Sequence, residues 1–408
     1  MSAKGSTIGA MEKINALTMP LGYRAGGTIA GIKESGLPDL ALLVSDEPAA
    51  AAAMFTRNVV KAAPLIVNQG QMADGRIQAV VVNSGNANCA TGERGIVDAR
   101  EMVRLAAERV ECAAADVFVN STGIIGHYLP MEKVAAGIAS VELSGEGGGA
   151  FARAIMTTDT FAKEAVATFE ANGQRYQVGG CCKGAGMIHP DMATMLAFLT
   201  TDAPIEATAL EASMRSAVDR SFNMVTVDGD TSTNDTVLVL ANGAGGGPEI
   251  GASDGAAMAA FESALWSVCR KLTIDLARDG EGSTKLIEMR VTGGATWEEA
   301  RDVARGVVKS PLLKAALSKG DPNWGRVLMA AGYAGVGFDP NAVRLWMGDQ
   351  LLYEGGASAG VPASEAARAV TGDTVQIRLD LGRGASEAMA WGCDLTEEYV
   401  RFNADYVT

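Results

Sequence analysis

Histidine is nearly missing: 408 residues contain two, His127 and His189. A Ser-His-Asp triad therefore has few ways to be assembled. Two G-x-S-x-G runs occur, Gly251-Ala252-Ser253-Asp254-Gly255 and Gly356-Ala357-Ser358-Ala359-Gly360. A hydrolase elbow needs its histidine after the serine, and both histidines lie upstream, so both runs read as glycine-rich turns. The six cysteines, Cys89, Cys112, Cys181, Cys182, Cys269 and Cys393, form no CxxC pair, which fits a reduced, cytoplasmic setting. No run of about 18 uncharged apolar residues is present, and the start from Met1 to Thr7 lacks the apolar core of an export signal. Neither a membrane span nor an export signal is expected. Positive charge is also short: 34 Lys and Arg against 48 Asp and Glu, a net charge of -14. Such a surface repels phosphate backbones and anionic lipid heads, which argues against nucleic acid as a partner. A single local cation still suffices to bind an amino-acid carboxylate.

What is present is an ordinary globular composition, 48% hydrophobic and 20% charged. The length suggests two or three structural units or one large layered body. Ala79-Val80-Val81-Val82-Asn83 predicts a buried strand ending in the turn Asn83-Ser84-Gly85-Asn86, and the spacing predicts a helix over 96–110. Asp116 to Asn120 predicts a second strand that empties into Ser121-Thr122-Gly123, where small residues let backbone amides face an anion or oxyanion. A strand over 175–179 is followed by a turn-rich stretch, 180–186. A strand over 194–200, a helix over 205–218 behind Pro204 and a helix over 256–276 complete the middle of the chain. The glycine-rich stretches 144–149 and 242–251 read as surface connections. Strands and helices alternate without a strict βαβ rhythm, so the expected class is a layered α/β or α+β sandwich.

Acyl transfer without histidine has a simple solution. A threonine at a chain's N-terminus carries its own base, an α-amine whose pKa of about 7.7–8 leaves a useful neutral fraction near pH 7. Thr194, in Met192-Ala193-Thr194-Met195-Leu196, becomes such a residue if the bond after Ala193 is broken. On local pattern alone, the commoner reading of Thr194 is a β-branched residue opening a buried strand.

The wider set of runs decides between them. Val178-Gly179-Gly180, Lys183-Gly184-Ala185-Gly186-Met187-Ile188 and the run from Met192 to Ala203 resemble the ornithine acetyltransferase, or glutamate N-acetyltransferase, family. The resemblance extends over Phe55-Thr56, Val60-Lys61-Ala62-Ala63-Pro64, Asn83 to Asn88, Ser121-Thr122-Gly123 and Met156-Thr157-Thr158-Asp159-Thr160. It continues through Thr226 to Asp235, Ala277 to Gly282, Asp321-Pro322-Asn323-Trp324-Gly325-Arg326 and Asn403 to Thr408.

The resemblance implies a self-cleaving enzyme of β-aminopeptidase-like, Ntn-hydrolase-like architecture. Its α chain would comprise 1–193 and its β chain 194–408. It implies ping-pong transfer of acetyl from N-acetylornithine to glutamate through an ester on Thr194, in arginine biosynthesis, with no metal or nucleotide cofactor. Acetyl-CoA as a second donor substrate is left open. Paired αβ units, an (αβ)2 heterotetramer, are the implied assembly. By the same match Thr122 and Gly123 supply the oxyanion donors, while Thr157, Lys183, Thr194, Glu281, Asn403 and Thr408 contact substrate. Lys183 suits a substrate carboxylate and Glu281 the free amine of acetylornithine, with Asn403 and Thr408 supplying neutral hydrogen bonds. Outside the family match, Lys183 reads as a solvated loop lysine, Glu281 as the residue after a helix and Thr408 as a chain end. A hydrolase of the β-aminopeptidase kind and an uncut amino-acid-binding protein are the alternatives.

Three features fall outside these roles. Asp228-Gly229-Asp230-Thr231-Ser232 imitates a calcium loop, but Thr233 replaces the turn glycine and Val239 the twelfth-position carboxylate. Asp228, Asp230, Asn234 and Asp235 are instead expected to tie a turn by local hydrogen bonds. Cys181 and Cys182 are expected to be inert. His127 and His189 stand where the family has smaller or apolar residues.

Overall fold

The computed structural model describes residues 14–189 and 195–405; among them lie two mixed sheets with helices against and between them. The first nine strands in chain order are β1 (Tyr23–Thr28), β2 (Leu40–Phe55), β3 (Arg76–Asn86), β4 (Val117–Ile124), β5 (Lys163–Ala171), β6 (Gln174–Lys183), β7 (Leu196–Thr201), β8 (Val225–Thr226) and β9 (Thr236–Ala241). All but β8 build one sheet, ordered β4-β3-β2-β9-β7-β6-β5, with β1 paired to β2. The remaining strands are β10 (Leu286–Gly294), β11 (Arg344–Met347), β12 (Gln350–Glu354), β13 (Ala357–Ser358), β14 (Thr374–Asp380) and β15 (Ser386–Cys393). With β8 they form the second sheet, ordered β13-β12-β11-β14-β10-β15-β8. The layered α/β class expected from the sequence is the one observed.

The central strands β7 and β9 are buried along their whole length and mostly apolar, because both faces are covered. Side chains alternate between faces: Ala197, Leu199, Val237 and Val239 join the core shared with the helices Ala207–Asp219 and Gly255–Arg278. Leu196, Phe198, Leu238 and Leu240 face a second core with Leu17, Phe151 and Ile155. The helix Gly255–Arg278 touches β5 and β6 of the first sheet and β10 and β15 of the second, joining the two sheets.

Several expected turns are strand. β6 runs on through Gly180-Cys181-Cys182-Lys183. Its glycines answer crowding, since a Cβ on Gly179 would lie 1.8 Å from the Ala16 carbonyl oxygen. β3 continues through Asn83 to Asn86 and β4 through Ser121, Thr122 and Gly123. These polar residues belong in the sheet because their side chains are satisfied there. Ser121 Oγ donates to Asn83 Oδ1, Asn83 Nδ2 to the Asn86 carbonyl and Ser84 Oγ to the Ala154 carbonyl. Ser144, Gly145 and Glu146 are exposed as expected, but Gly147, Gly148 and Gly149 are buried and lead into the helix Gly148–Ala154, so only the first half of that stretch is a surface connection. A Cβ on Gly147 would lie 1.7 Å from the Ala25 carbonyl oxygen.

The strand order carries one further fact. β7 and β9, which follow position 194, lie between β2 on one side and β6 and β5 on the other, all of which precede it. The 193/194 boundary is therefore no boundary between packing units. Among the described residues, no helix is long and apolar enough to cross a membrane.

Candidate active site

Three neighbouring strands come into register at one end of the first sheet. Leu196, which opens β7, is aligned with Lys183, which closes β6, and on the other side with Thr236, which opens β9. Met195, the residue before β7, is buried, and its carbonyl accepts from Thr236 N at 2.8 Å. Thr194 and Ala193 themselves, like Thr408, lie outside the described residues.

A pocket opens at this end of the sheet, with about 660 Å³ of empty space including its solvent-facing mouth. Its lining includes Thr122 and Gly123 from β4, Thr157 and Thr158, Lys183 from β6, Gly186 and Met187, Ser232 to Asn234, Glu281 and Asn403. Six residues singled out in the sequence, Thr122, Gly123, Thr157, Lys183, Glu281 and Asn403, thus share one cavity.

Local packing explains each position. Gly123 adopts φ 133°, and a Cβ there would lie 2.3 Å from the Gly85 carbonyl carbon, so only glycine lets β4 approach β3 this closely. Lys183 is no solvated loop residue; it is 8% exposed, and its Nζ donates to Thr122 Oγ1 at 3.2 Å. Burial lowers the Lys183 pKa, and nearby Lys163 lowers it further, while Asp159, Asp235 and Glu281 oppose the shift. Glu281 follows the helix Gly255–Arg278. Its N–H donates to the Ala185 carbonyl at 2.9 Å, and its Oε2 accepts from Asn403 Nδ2 at 2.9 Å.

The expected local bonds form, with Asp228 Oδ1 accepting from Asp230 N at 3.2 Å and Asn234 Oδ1 from Thr233 Oγ1 at 2.6 Å, but Asp228 and Asn234 also bond across the fold. Asp228 accepts from Met187 N at 2.6 Å and Ile188 N at 2.9 Å, fixing the segment after Lys183. Asn234 Nδ2 donates to the carbonyls of Ala87 and Ser121, tying β9 to the end of β4. Asp235 is fully buried, and burial raises its pKa well above the carboxylate range despite the hydroxyls of Ser232 and Thr56 and the charge of Lys183. Asp230 is exposed, and its N–H donates to Asp228 Oδ1.

A charge network beneath the pocket escaped the sequence reading. Lys163 Nζ donates to Asp159 Oδ1 at 2.6 Å and to Asp279 Oδ2, with all three side chains almost fully buried. Asp159 also accepts from Thr157 N at 2.9 Å and Gly184 N at 2.6 Å. Burial alone would raise the Asp159 pKa, but Lys163 and Lys183 pull it down to about 2. Lys33, which donates to the carbonyls of Pro38 and Met156, was missed too; burial and Lys183 lower its pKa to about 8. The signal for both was weak, a lysine and two aspartates scattered among matched runs.

Cys181 and Cys182 are buried, and burial pushes both thiols well up, which leaves them poor nucleophiles. His127 is exposed, and its carbonyl accepts from Asn86 Nδ2; His189 offers its carbonyl to Thr231 Oγ1. Neither histidine lines the pocket. Among the described residues no group of three or more His, Cys, Asp or Glu is arranged to hold a metal ion.

Comparison with known proteins places these features. A family model described as the ArgJ family matches residues 24–408. A Symbiobacterium thermophilum protein named arginine biosynthesis bifunctional protein ArgJ is 52% identical over 396 residues, covering 96% of this chain and 98% of the relative. A Thermus thermophilus protein of the same name is 50% identical over 394 residues, covering 96% of this chain and all of the relative (100%). The crystal structure of the ArgJ protein of Bacillus halodurans is 42% identical, with a TM-score of 0.43 over 44% of this chain and 94% of that one.

Proposed function

Because the chain belongs to the ArgJ family, we propose that it transfers acetyl from N-acetylornithine to glutamate by a ping-pong route through an ester on Thr194. It is an acyltransferase of arginine biosynthesis. The observation that carries the mechanistic reading is the convergence of Thr122, Gly123, Lys183 and Glu281 on one pocket, beside the strand that begins two residues after Thr194. Oxyanion donors, a cation and an anion are the parts that an acetylated diamino acid demands.

In this mechanism the chain first cuts itself between Ala193 and Thr194. The freed α-amine of Thr194 takes the proton of its own hydroxyl as the oxygen attacks the acetyl carbonyl. The Gly123 N–H and the Thr122 hydroxyl hold the charge that develops on the carbonyl oxygen. Collapse of the intermediate breaks the C–N bond, and the α-amine of ornithine leaves with the proton. The α-amine of glutamate then attacks the acetyl ester, forming N-acetylglutamate and restoring Thr194. Lys183 pairs with the substrate carboxylate and Glu281 with the side-chain ammonium of ornithine. Thr157, Asn403 and Thr408 add neutral hydrogen bonds.

Acetyl-CoA as an alternative donor, assembly as (αβ)2 and a cytoplasmic location belong to the same proposal. The six cysteines are unpaired, which supports a reducing compartment. Intact-mass analysis tests the core of the reading. The wild type is expected as two fragments meeting at Ala193/Thr194, the C-terminal one gaining one acetyl group on incubation with N-acetylornithine. Thr194→Ala is expected as one chain without transfer; an uncut, fully active Thr194→Ala enzyme refutes the mechanism. Release of ornithine at a rate indifferent to glutamate would mark a hydrolase.

A further inference from the structure

The two charged ends of the pocket are held by one buried lysine. Asp159 binds the backbone on both sides of the carboxylate end: it accepts from Thr157 N and from Gly184 N, the residue after Lys183. Asp279 stands two residues before Glu281 and accepts from the N–H and hydroxyl of Thr160. Lys163 Nζ donates to both carboxylates, and its side chain is wholly inaccessible, as is that of Asp159. A backbone bond from Glu281 N to the Ala185 carbonyl closes the same frame. The positions of Lys183 and Glu281 are therefore not independent. Two like charges drawn onto one buried cation keep a fixed separation, and without the cation they repel.

We propose that Lys163 is a positioning residue that sets the distance between Lys183 and Glu281, and thereby the side-chain length of the amino acid the enzyme accepts. Lys163 does not line the pocket and acts only through Asp159 and Asp279. The proposal rests on the acetyl-transfer reading above, in which Lys183 takes the carboxylate and Glu281 the distal ammonium. A frame of fixed span discriminates between homologous diamino acids, where one methylene is worth roughly 10–200-fold in kcat/KM.

The test compares three donors, the Nα-acetyl derivatives of 2,4-diaminobutyrate, ornithine and lysine, which differ by one methylene each. Wild type is expected to favour acetylornithine by at least about tenfold over either neighbour. In Lys163→Met the preference is expected to fall below about threefold, because the two ends are no longer held at one distance. A ratio of rates on one preparation is unaffected by the fraction of enzyme that folds, so a merely structural role would leave it unchanged. Asp279→Asn, which keeps the side-chain shape but weakens its pairing with Lys163, carries the same test if Lys163→Met does not fold. A wild-type preference retained in the active variant, or a wild type that takes all three donors equally, overturns the proposal while leaving acetyl transfer intact. A wild type inactive on all three overturns the acetyl-transfer reading and this proposal with it.

Discussion

Lys183 Nζ lies 3.2 Å from Thr122 Oγ1, and the bond runs from the ammonium to the hydroxyl oxygen. That direction settles what the hydroxyl can do. With one lone pair engaged by a cation, its own hydrogen points elsewhere and is polarised as a donor. In the proposed mechanism this bond makes the substrate-binding cation and the oxyanion donor one unit.

Thr122→Ala is expected to lower kcat about 10²–10³-fold with a much smaller change in KM. The same variant should slow self-cleavage, because that reaction also passes through a tetrahedral oxyanion. Steady-state kinetics and the fraction of uncut chain check both. A large KM increase at unchanged kcat would assign Thr122 to binding alone.

The depressed pKa of Lys183 predicts a pH dependence. Burial disfavours the charged form, so Lys183 loses its proton at lower pH than an ordinary lysine. Carboxylate binding is complete below that pKa and weakens as pH rises through it. KM for N-acetylornithine should therefore climb on the alkaline side before the ordinary lysine range is reached. Arginine stays protonated throughout, so in Lys183→Arg the climb should disappear even if the binding itself is weaker. A KM that stays flat into the ordinary lysine range in wild type would contradict this.

In the proposed ping-pong route Glu281 faces opposite demands in the two half-reactions, with ornithine bringing an ammonium to it and glutamate a carboxylate. Glu281→Gln should raise KM for N-acetylornithine about tenfold, a typical loss for one charge-assisted bond. KM for glutamate should not rise. Parallel increases in both constants would place glutamate's side chain elsewhere.

Asp159 links charge to stability. Its folded-state pKa of about 2 lies below the unfolded value near 3.9, so its contribution is complete above about pH 4 and is lost as pH falls toward 2. The contribution is on the order of 2 kcal/mol. Urea midpoints measured across this window should fall more steeply for wild type than for Asp159→Asn. Parallel curves would remove Asp159 from the acid-sensitive set.

The layered class, the long helices and the central buried strands were legible because their apolar pattern is local. Ala79 to Val82 and Leu196 to Leu199 are continuous apolar runs, and the helix Gly255–Arg278 matches its expected span within two residues at each end. The pocket residues were legible through ordered motifs, since nothing local separates Lys183 from a solvated lysine. Turn composition misled at Gly180, Ser84 and Gly147, where glycine and small polar residues serve close packing and buried hydrogen bonds. The Asp159–Lys163–Asp279 network was hidden because its farther bond joins residues 116 positions apart, a separation no periodicity reports.

The interleaved strand order gives the molecule a history. β7 and β9 are hydrogen-bonded on both flanks to strands made before them, β2 and β6. A break after residue 193 leaves those ladders untouched, and Met195 stays anchored to Thr236. The two pieces cannot be parted without opening the sheet between them, nor swapped with those of a neighbouring molecule. Under the proposed cleavage, each enzyme keeps for life the partner it was born joined to.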